Sequence, residues 1–505
     1  AFIAGHSSTS ISAALGIAKA NIINKNKNVT IAVIGDGALS GGMAYEGLNN
    51  AGRHKGNFIV ILNDNEMSIS KNVGSMAKYL AVVRSTPEYF KTKDFVHATL
   101  EKIPFIGKNL TSRIKNSKKL LKEALYNSTF FEDMGFTYLG PIDGHNIQQL
   151  NDVLTRAKEI DSPVFIHVQT KKGKGYKFAE QNPDLFHGVS KFDIKTGTQN
   201  SKESFSDKFG EALTNLAKKD DKICAITAAM TQGTGLVPFY TLFPDRFFDV
   251  SIAEQHAVTF AAGLASCGIK PVFAVYSTFL QRGYDQIIHD CAIEKQHVVF
   301  AVDRAGIVGE DGETHQGLFD VSYLSSIPGV VIYSPSNFKE LEISLKKALY
   351  EEKGVVALRY PRGGEISSEI HCESCTFSLT QNDNNNDILI ISYGRIISFV
   401  YDAVSTLKSE NINIDLLKLV KIHPIDNEII KLCLKYKKIF FVEESIKNGS
   451  VGEHLLSSLA ENNFSGNFYH NSVDNIFISH QSTFQAINQC GFDTQGIINF
   501  VKKGI

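Results

Sequence analysis

The chain has 505 residues, room for about three domains at roughly 150 residues each. Its 52 Lys and Arg against 53 Asp and Glu leave a net charge of −1, which argues against a whole-chain grip on nucleic acid and against an acidic disordered tail. Hydrophobic residues make up 43% of the sequence, enough for several cores, and no apolar run reaches the roughly 18 residues of a membrane helix. The seven cysteines are scattered, with no disulfide framework, and point to a reducing, cytoplasmic compartment.

In chain order, the spacing predicts a helix of small and apolar residues over 11–22, then a strand over 29–34 that ends in Gly35-Asp36-Gly37. A helix over 38–51 leads to a strand over 58–62, which ends in Asn63-Asp64-Asn65. Strand, helix, strand at this spacing is a right-handed crossover with parallel strands. Near-continuous hydrophobicity in both strands predicts a sheet covered on both faces. A helix over 147–160 and a strand over 164–168 extend the pattern. The stretch 71–126 is basic, poorly periodic and rich in Ser, Asn and Lys, and reads as a long, partly helical, mobile insertion with a solvated surface. Residues 195–204 form a polar linker. Beyond it come strands near 223–228, 272–276 and 298–302, with a helix after Glu254. An Asn- and Asp-rich run over 381–387 marks a second boundary, followed by strands at 388–392, 413–417 and 438–442. The expected architecture is α/β, three doubly wound domains in a row, spanning 1–200, 201–370 and 371–505.

Two strand ends carry chemistry. Gly35-Asp36-Gly37 and Asn63-Asp64-Asn65 lie at the carboxyl edge of one sheet, where open α/β sheets bind ligands. Asp36 offers a carboxylate oxygen, Asn65 an amide oxygen and Met67 a backbone carbonyl, a set that suits one face of an octahedral Mg²⁺. Gly35 and Gly37 let a diphosphate approach the backbone, and the helix that follows, opening at Ala38, favours its charge. The plainer alternative is that Asp36 caps a helix and Asn65 makes a turn. Gly-Asp-Gly, a helix, an apolar strand and Asn-Asp-Asn in succession are similar to the thiamine diphosphate signature.

A second segment, Ile252-Ala253-Glu254-Gln255-His256-Ala257, turns a strand into a helix of small residues. Activation of thiamine needs a carboxyl group against the aminopyrimidine in an apolar pocket, where its pKa is raised so that it shares a proton. Glu254 is the candidate. Phe279 is placed to stack on the pyrimidine and Ile69 to prop the cofactor, although either also reads as ordinary core.

Gly5-His6-Ser7-Ser8-Thr9-Ser10-Ile11-Ser12, Gly35-Asp36-Gly37-Ala38, the segment from Asn63 to Ser70, and Gly140-Pro141-Ile142-Asp143-Gly144-His145 together resemble the 1-deoxy-D-xylulose-5-phosphate synthase family. So do the segments Tyr276 to Arg282, Asp303 to Gly309 and Arg359-Tyr360-Pro361-Arg362-Gly363. The resemblance implies a transketolase-like thiamine diphosphate fold and a homodimer acting on small molecules. It implies condensation of pyruvate with glyceraldehyde 3-phosphate, releasing CO₂, at the entry to non-mevalonate isoprenoid synthesis. It assigns Arg282 and Arg362 to the acceptor's phosphate, with Tyr276 and Arg304 lining that pocket. It makes His6, His187, Asp311 and His315 catalytic, histidine being suited by a pKa near working pH. Lys171 and Tyr176, in Thr170-Lys171-Lys172-Gly173-Lys174-Gly175-Tyr176, are expected beside the cofactor; this segment lacks the ending of a phosphate loop. His54, His97 and His423 read as structural. His371-Cys372-Glu373-Ser374-Cys375 offers a zinc-like pair without the further ligands a structural zinc needs.

The sequence departs from the family pattern in two places. Family members carry a further segment ahead of Gly5-His6, so the first domain is expected to be N-terminally incomplete. His480-Gln481 and the motif around Glu443-Glu444-Ser445 also differ, which bears on the packing of the third domain. Two other readings stand: a transketolase acting on sugar phosphates, and an inactive cofactor-binding half-enzyme that needs a separate N-terminal segment.

Overall fold

The computed structural model describes residues 5–67, 74–85, 129–189, 191–198, 203–366, 372, 374, 376–381 and 386–505. The expectations for Ile69, for His97, for the insertion beyond residue 85, and for His371 and Cys375 lie outside these residues. The chain divides into two compact units, Ala1–Thr198 and Gln199–Ile505.

The first unit is built on four parallel strands: β1 (Thr30–Gly35), β2 (Phe58–Asp64), β3 (Thr137–Asp143) and β4 (Pro163–Gln169), in the order β1-β2-β4-β3. One face of β1 and β2 packs through Ala32, Ile34, Phe58 and Val60 onto the helix Ser10–Ile23, whose Ile11, Ala14 and Ala18 point inward. β1 departs from expectation: Ile31 is 44% and Val33 58% exposed, so this edge strand is covered on one face only. β4 is buried along nearly its whole length, as a central parallel strand should be. The helix expected over 38–51 is broken into a turn, Asp36–Leu39, and a helix, Gly42–Ala51. Ser40 Oγ donates to the Gly37 carbonyl at 2.7 Å, a local bond that competes with helix continuation.

The second unit holds two sheets. One combines β5 (Ile223–Thr227), β6 (Phe247–Asp249), β7 (Lys270–Tyr276), β8 (Val298–Asp303), β9 (Val331–Tyr333) and β10 (Val355–Arg359). The other combines β11 (Phe377–Thr380), β12 (Ile388–Tyr393), β13 (Asp415–Leu419), β15 (Lys438–Ile446) and β16 (Asn467–Val473). β14 (Lys421–His423) follows β13 directly yet leaves its sheet, pairing antiparallel with β9 and completing the order β14-β9-β10-β8-β7-β5-β6. β11 pairs antiparallel with β13, so the third sheet begins ahead of the Asn-rich run at 381–387. Both departures from a purely parallel design are edge strands. A buried ion pair runs between elements of the two sheets. Lys418 on β13 bonds Glu340 on the helix Phe338–Tyr350 at 2.5 Å, both side chains being at most 1% exposed.

Candidate active site

In the first unit, β1 and β2 pair in a register that sets Gly35 beside Asn63, so the two motif-bearing strand ends emerge together. Asp36 and Asp64 are both buried there. Burial, and then the neighbouring Asp64 carboxylate, push the Asp36 carboxyl up to about 7. Asp36 and Asp64 thus set two buried carboxyl groups side by side, and the amide of Asn65 stands next in the chain. Asp64 is held from behind. Its Oδ2 lies 2.8 Å from His167 Nε2, and the other ring nitrogen of His167 lies 2.7 Å from the Tyr138 hydroxyl. Asn65 Oδ1 accepts from the Met67 N–H at 3.0 Å, which fixes the turn. Ser8, in the left-handed region at φ 71°, donates from Oγ to the Ala38 carbonyl at 2.7 Å and ties the Gly5-His6 segment to Gly35–Ala38. His6 itself is half-buried.

A cleft of about 190 Å³ opens beside these residues, lined by Asn65, Glu66, Met67, Lys171, Lys172 and Glu180 among others. Lys171, expected at the diphosphate, places its ammonium on Glu180. Lys172 is the lysine turned inward: burial lowers its pKa, while Asp184 and Asp36 act on it in the opposite direction. His187 is lowered by burial and by the charge of Lys172, which favours a neutral imidazole. Tyr176 sits in an aromatic cluster with Phe178, Phe186 and Phe192 and donates its hydroxyl to the Ile194 carbonyl at 2.9 Å. Sequence reading passed over Asp64, His167 and Lys172. The signal for His167 was present, a lone histidine inside the apolar run of β4.

In the second unit the site grows from the ends of β7 and β8 and from the helix Glu254–Ser266. Glu254 opens that helix and is 2% exposed; burial raises its carboxyl, outweighing the opposing charge of Arg282. Arg282 Nη1 donates to Glu254 Oε2 at 3.2 Å, so this arginine, expected at the acceptor's phosphate, lies against the buried glutamate. Tyr276 and Phe279 stack at 5.8 Å, and the edge of Phe279 meets the His315 ring at 5.4 Å. Burial leaves His315 below its ordinary pKa, with Asp311 opposing the shift and Arg304 adding a smaller push downward, and its Nδ1 lies 2.7 Å from Thr314 Oγ1. The Arg304 guanidinium lies 3.9 Å above the Tyr276 ring, a cation–π arrangement. Asp311 joins two cations, accepting from Arg304 at 2.6 Å and from Arg362 at 3.1 Å. Gly233, which sequence reading missed, makes room for Tyr276: a Cβ there would lie 2.0 Å from the phenol oxygen. Tyr276, Phe279, His315, Arg304, Asp311 and Arg362 thus form one linked polar and aromatic cluster, and Glu254 is a buried carboxyl paired with the guanidinium of Arg282.

Comparison with known proteins gives this geometry a family. The model described as 1-deoxy-D-xylulose-5-phosphate synthase matches residues 1–170. Those described as the transketolase pyrimidine binding domain and C-terminal domain match 201–364 and 379–497. The 1-deoxy-D-xylulose-5-phosphate synthase of Caldanaerobacter subterraneus subsp. tengcongensis is 49% identical over 99% of this chain and 81% of its own length. That of Clostridium kluyveri is 46% identical over the same shares. Among solved structures, transketolase from Campylobacter jejuni aligns over 99% of this chain and 82% of its own with a TM-score of 0.51 at 17% identity. A split-gene transketolase, an inactive β4 tetramer, covers 60% of this chain and 98% of its own at a TM-score of 0.53 and 24% identity. The two structures speak for the fold alone. The sequence relatives go further, and on them the chain belongs to the 1-deoxy-D-xylulose-5-phosphate synthase family.

Proposed function

We propose that this chain is a thiamine diphosphate-dependent synthase that joins pyruvate to D-glyceraldehyde 3-phosphate, giving 1-deoxy-D-xylulose 5-phosphate and CO₂. The observation that carries the reading is Glu254: a carboxyl buried at a helix start, raised by its surroundings and paired with Arg282, in the unit that also holds an aromatic pair and guanidinium groups. When bound, thiamine diphosphate supplies the nucleophilic carbon and the electron sink for decarboxylation and carbon–carbon bond formation.

The chain's own residues supply the rest. Glu254 holds a proton at the pyrimidine edge, and Phe279 gives that ring a flat apolar neighbour. Asp36, the Asn65 amide and the Met67 carbonyl hold Mg²⁺, with Gly35, Gly37 and Ala38 beside the diphosphate and Lys172 adding a cation next to Asp36. Arg304 and Arg362, aligned by Asp311, take the acceptor's phosphate through charge-assisted bonds, with Tyr276 as the wall of the pocket. His315, favoured as a neutral imidazole, donates a ring N–H hydrogen bond that orients the aldehyde oxygen and stabilises the charge developing on it. His6 and His187, on the first unit, serve proton transfer and orientation. The six described cysteines are all free, which supports a reducing cytoplasm as the setting. Among the described residues no helix is long and apolar enough to cross a membrane. A homodimer fits the small apolar residues of the helix after Glu254.

The test supplies pyruvate and glyceraldehyde 3-phosphate with thiamine diphosphate and Mg²⁺, and follows CO₂ and the five-carbon product. Equal release of both is the expected result. Ketol transfer from xylulose 5-phosphate without pyruvate decarboxylation would replace this reading with a transketolase.

A further inference from the structure

The loop that carries Arg304 and Asp311 leaves β8 in an unusual path, with Arg304 at φ 57° and Gly306 at φ 83°. Its own sheet anchors it at Ala305, whose N–H donates to the Tyr360 carbonyl at 2.9 Å. Gly306 then pairs with Gly317 in a two-bond bridge, at 2.6 and 2.8 Å, and the peptide groups of Ile307 are held by the other sheet. Glu444, on β15, accepts from the Ile307 N–H at 2.7 Å, and Arg395, just past β12, donates to the Ile307 carbonyl. The two side chains close on each other: Arg395 Nε donates to Glu444 Oε2 at 3.1 Å and its Nη2 to Oε1. Both are buried, at 6% and 5% exposure. Gly306 is where the carboxylate presses on the loop, since a Cβ there would lie 2.6 Å from Glu444 Cδ. A second hold comes from the segment after β16: Thr483 Oγ1 donates to Glu310 Oε2 at 3.3 Å, the oxygen that also accepts from Arg362. A buried ion pair is a poor source of stability compared with apolar packing of the same volume. What it provides here is position, because charged groups grip both the N–H and the C=O of Ile307, three residues from Arg304.

We infer that Arg395 and Glu444 are positioning residues that set the enzyme's preference for a phosphorylated over an unphosphorylated aldehyde. They do so by fixing the loop on which Arg304 and Asp311 stand, and with Asp311 the orientation of Arg362. The third sheet, which places no side chain among the reacting groups, thereby tunes the acceptor pocket. This rests on the reading of Arg304 and Arg362 as the phosphate site.

The experiment compares glyceraldehyde 3-phosphate with glyceraldehyde as acceptors in the holoenzyme, with pyruvate as donor. The variants are the paired replacement Arg395→Met with Glu444→Gln, which removes both charges together, and Gly306→Ala, which sets a Cβ against the Glu444 carboxylate and displaces the loop while both charges remain. Arg362→Met is the reference. For both test variants the KM for glyceraldehyde 3-phosphate should rise roughly 10- to 100-fold. The kcat, the KM for pyruvate and the kcat/KM for glyceraldehyde should stay within about twofold. Equal losses on the two aldehydes, or an unchanged KM for the phosphorylated one, overturn the inference. If the paired replacement fails to fold, Gly306→Ala decides alone by the same criterion. Arg362→Met should lose the preference for the phosphorylated aldehyde. If it keeps that preference, the phosphate-site reading itself is wrong. If it loses the preference while both test variants keep theirs, the positioning role alone is refuted.

Discussion

Asp303 closes β8 with its carboxyl fully inside the protein. Oδ2 accepts from Ser206 Oγ at 2.7 Å, and Oδ1 has no hydrogen-bond partner among the described residues. Burial is the main cause of a pKa raised from 3.8 to about 7, with the adjacent Arg304 opposing it and Asp207 adding to it. A carboxyl whose pKa is higher in the folded than in the unfolded state stabilises the fold while it is protonated. That contribution is complete below about pH 4 and is lost as pH climbs through about 7. Between 3.8 and 7 the loss comes to about 4 kcal/mol. Asp303→Asn keeps an oxygen to accept from Ser206 and abolishes the titration. It also buries an amide donor in place of Oδ1, at a cost of about 1–3 kcal/mol that does not vary with pH. Denaturant unfolding of wild type and variant, followed by far-UV circular dichroism because the chain has no Trp, measures the difference. From about pH 4.5 to 6.5 the variant should gain on wild type by about 1.4 kcal/mol per pH unit. Taking the difference removes the slopes contributed by every other carboxyl. A flat difference across that range would show that Asp303 titrates normally, and the argument from burial would fail.

Two further outcomes are expected. Glu254→Ala should abolish product formation, with a loss of at least about 100-fold, while calorimetry still reports Mg²⁺-dependent binding of thiamine diphosphate; near-normal turnover would remove Glu254 from the activation step. Lys172→Ala should weaken thiamine diphosphate binding, measured by calorimetry, by about tenfold, one lost charge-assisted contact. Lys171→Ala, whose partner is Glu180, should change it little.

Much of the fold was legible wherever strands are buried on both faces, because such strands write themselves as apolar runs. β2, β4, β8 and β12 are of this kind. β10, Val-Val-Ala-Leu-Arg and buried throughout, was nevertheless missed, whereas the other strands that escaped sequence reading carry a different signal. β3 contains Gly140-Pro141, which breaks its pattern, and its pairing with β4 shifts register between Leu139 and Ile142. β6, β9 and β14 have three residues each, too few for any periodicity. β16 is half-buried and reads Asn-Phe-Tyr-His-Asn-Ser-Val, polar enough to pass for a loop. At the site, the motif residues stood out in sequence, and the fold brings Tyr276, Phe279, Arg304, Asp311, His315 and Arg362 together. Direction was not legible. Lys171 and Lys172 are adjacent in a loop with no period to say which turns inward, and only the fold gives Lys171 to Glu180. Arg282 and Glu254 are far apart in sequence, so their pairing belongs to the approach of the segment after β7 to the helix Glu254–Ser266. Glu444 was noticed as part of an altered motif, and its reach to Ile307 is a tertiary fact that no local pattern encodes.

The passage of β14 from one sheet to the next decides where this chain can be divided. A gene cut between β10 and β11 would look reasonable from the two family models that meet there, ending at 364 and resuming at 379. Such a cut would strip β9 of its antiparallel neighbour and leave an open row of backbone donors and acceptors, a template for self-association. It would also remove Lys418 from the buried carboxylate of Glu340. A recombinant fragment ending near residue 366 should therefore aggregate. The second and third sheets are heritable only as a pair, so a shuffling or complementation experiment that respects the molecule keeps 203–505 intact.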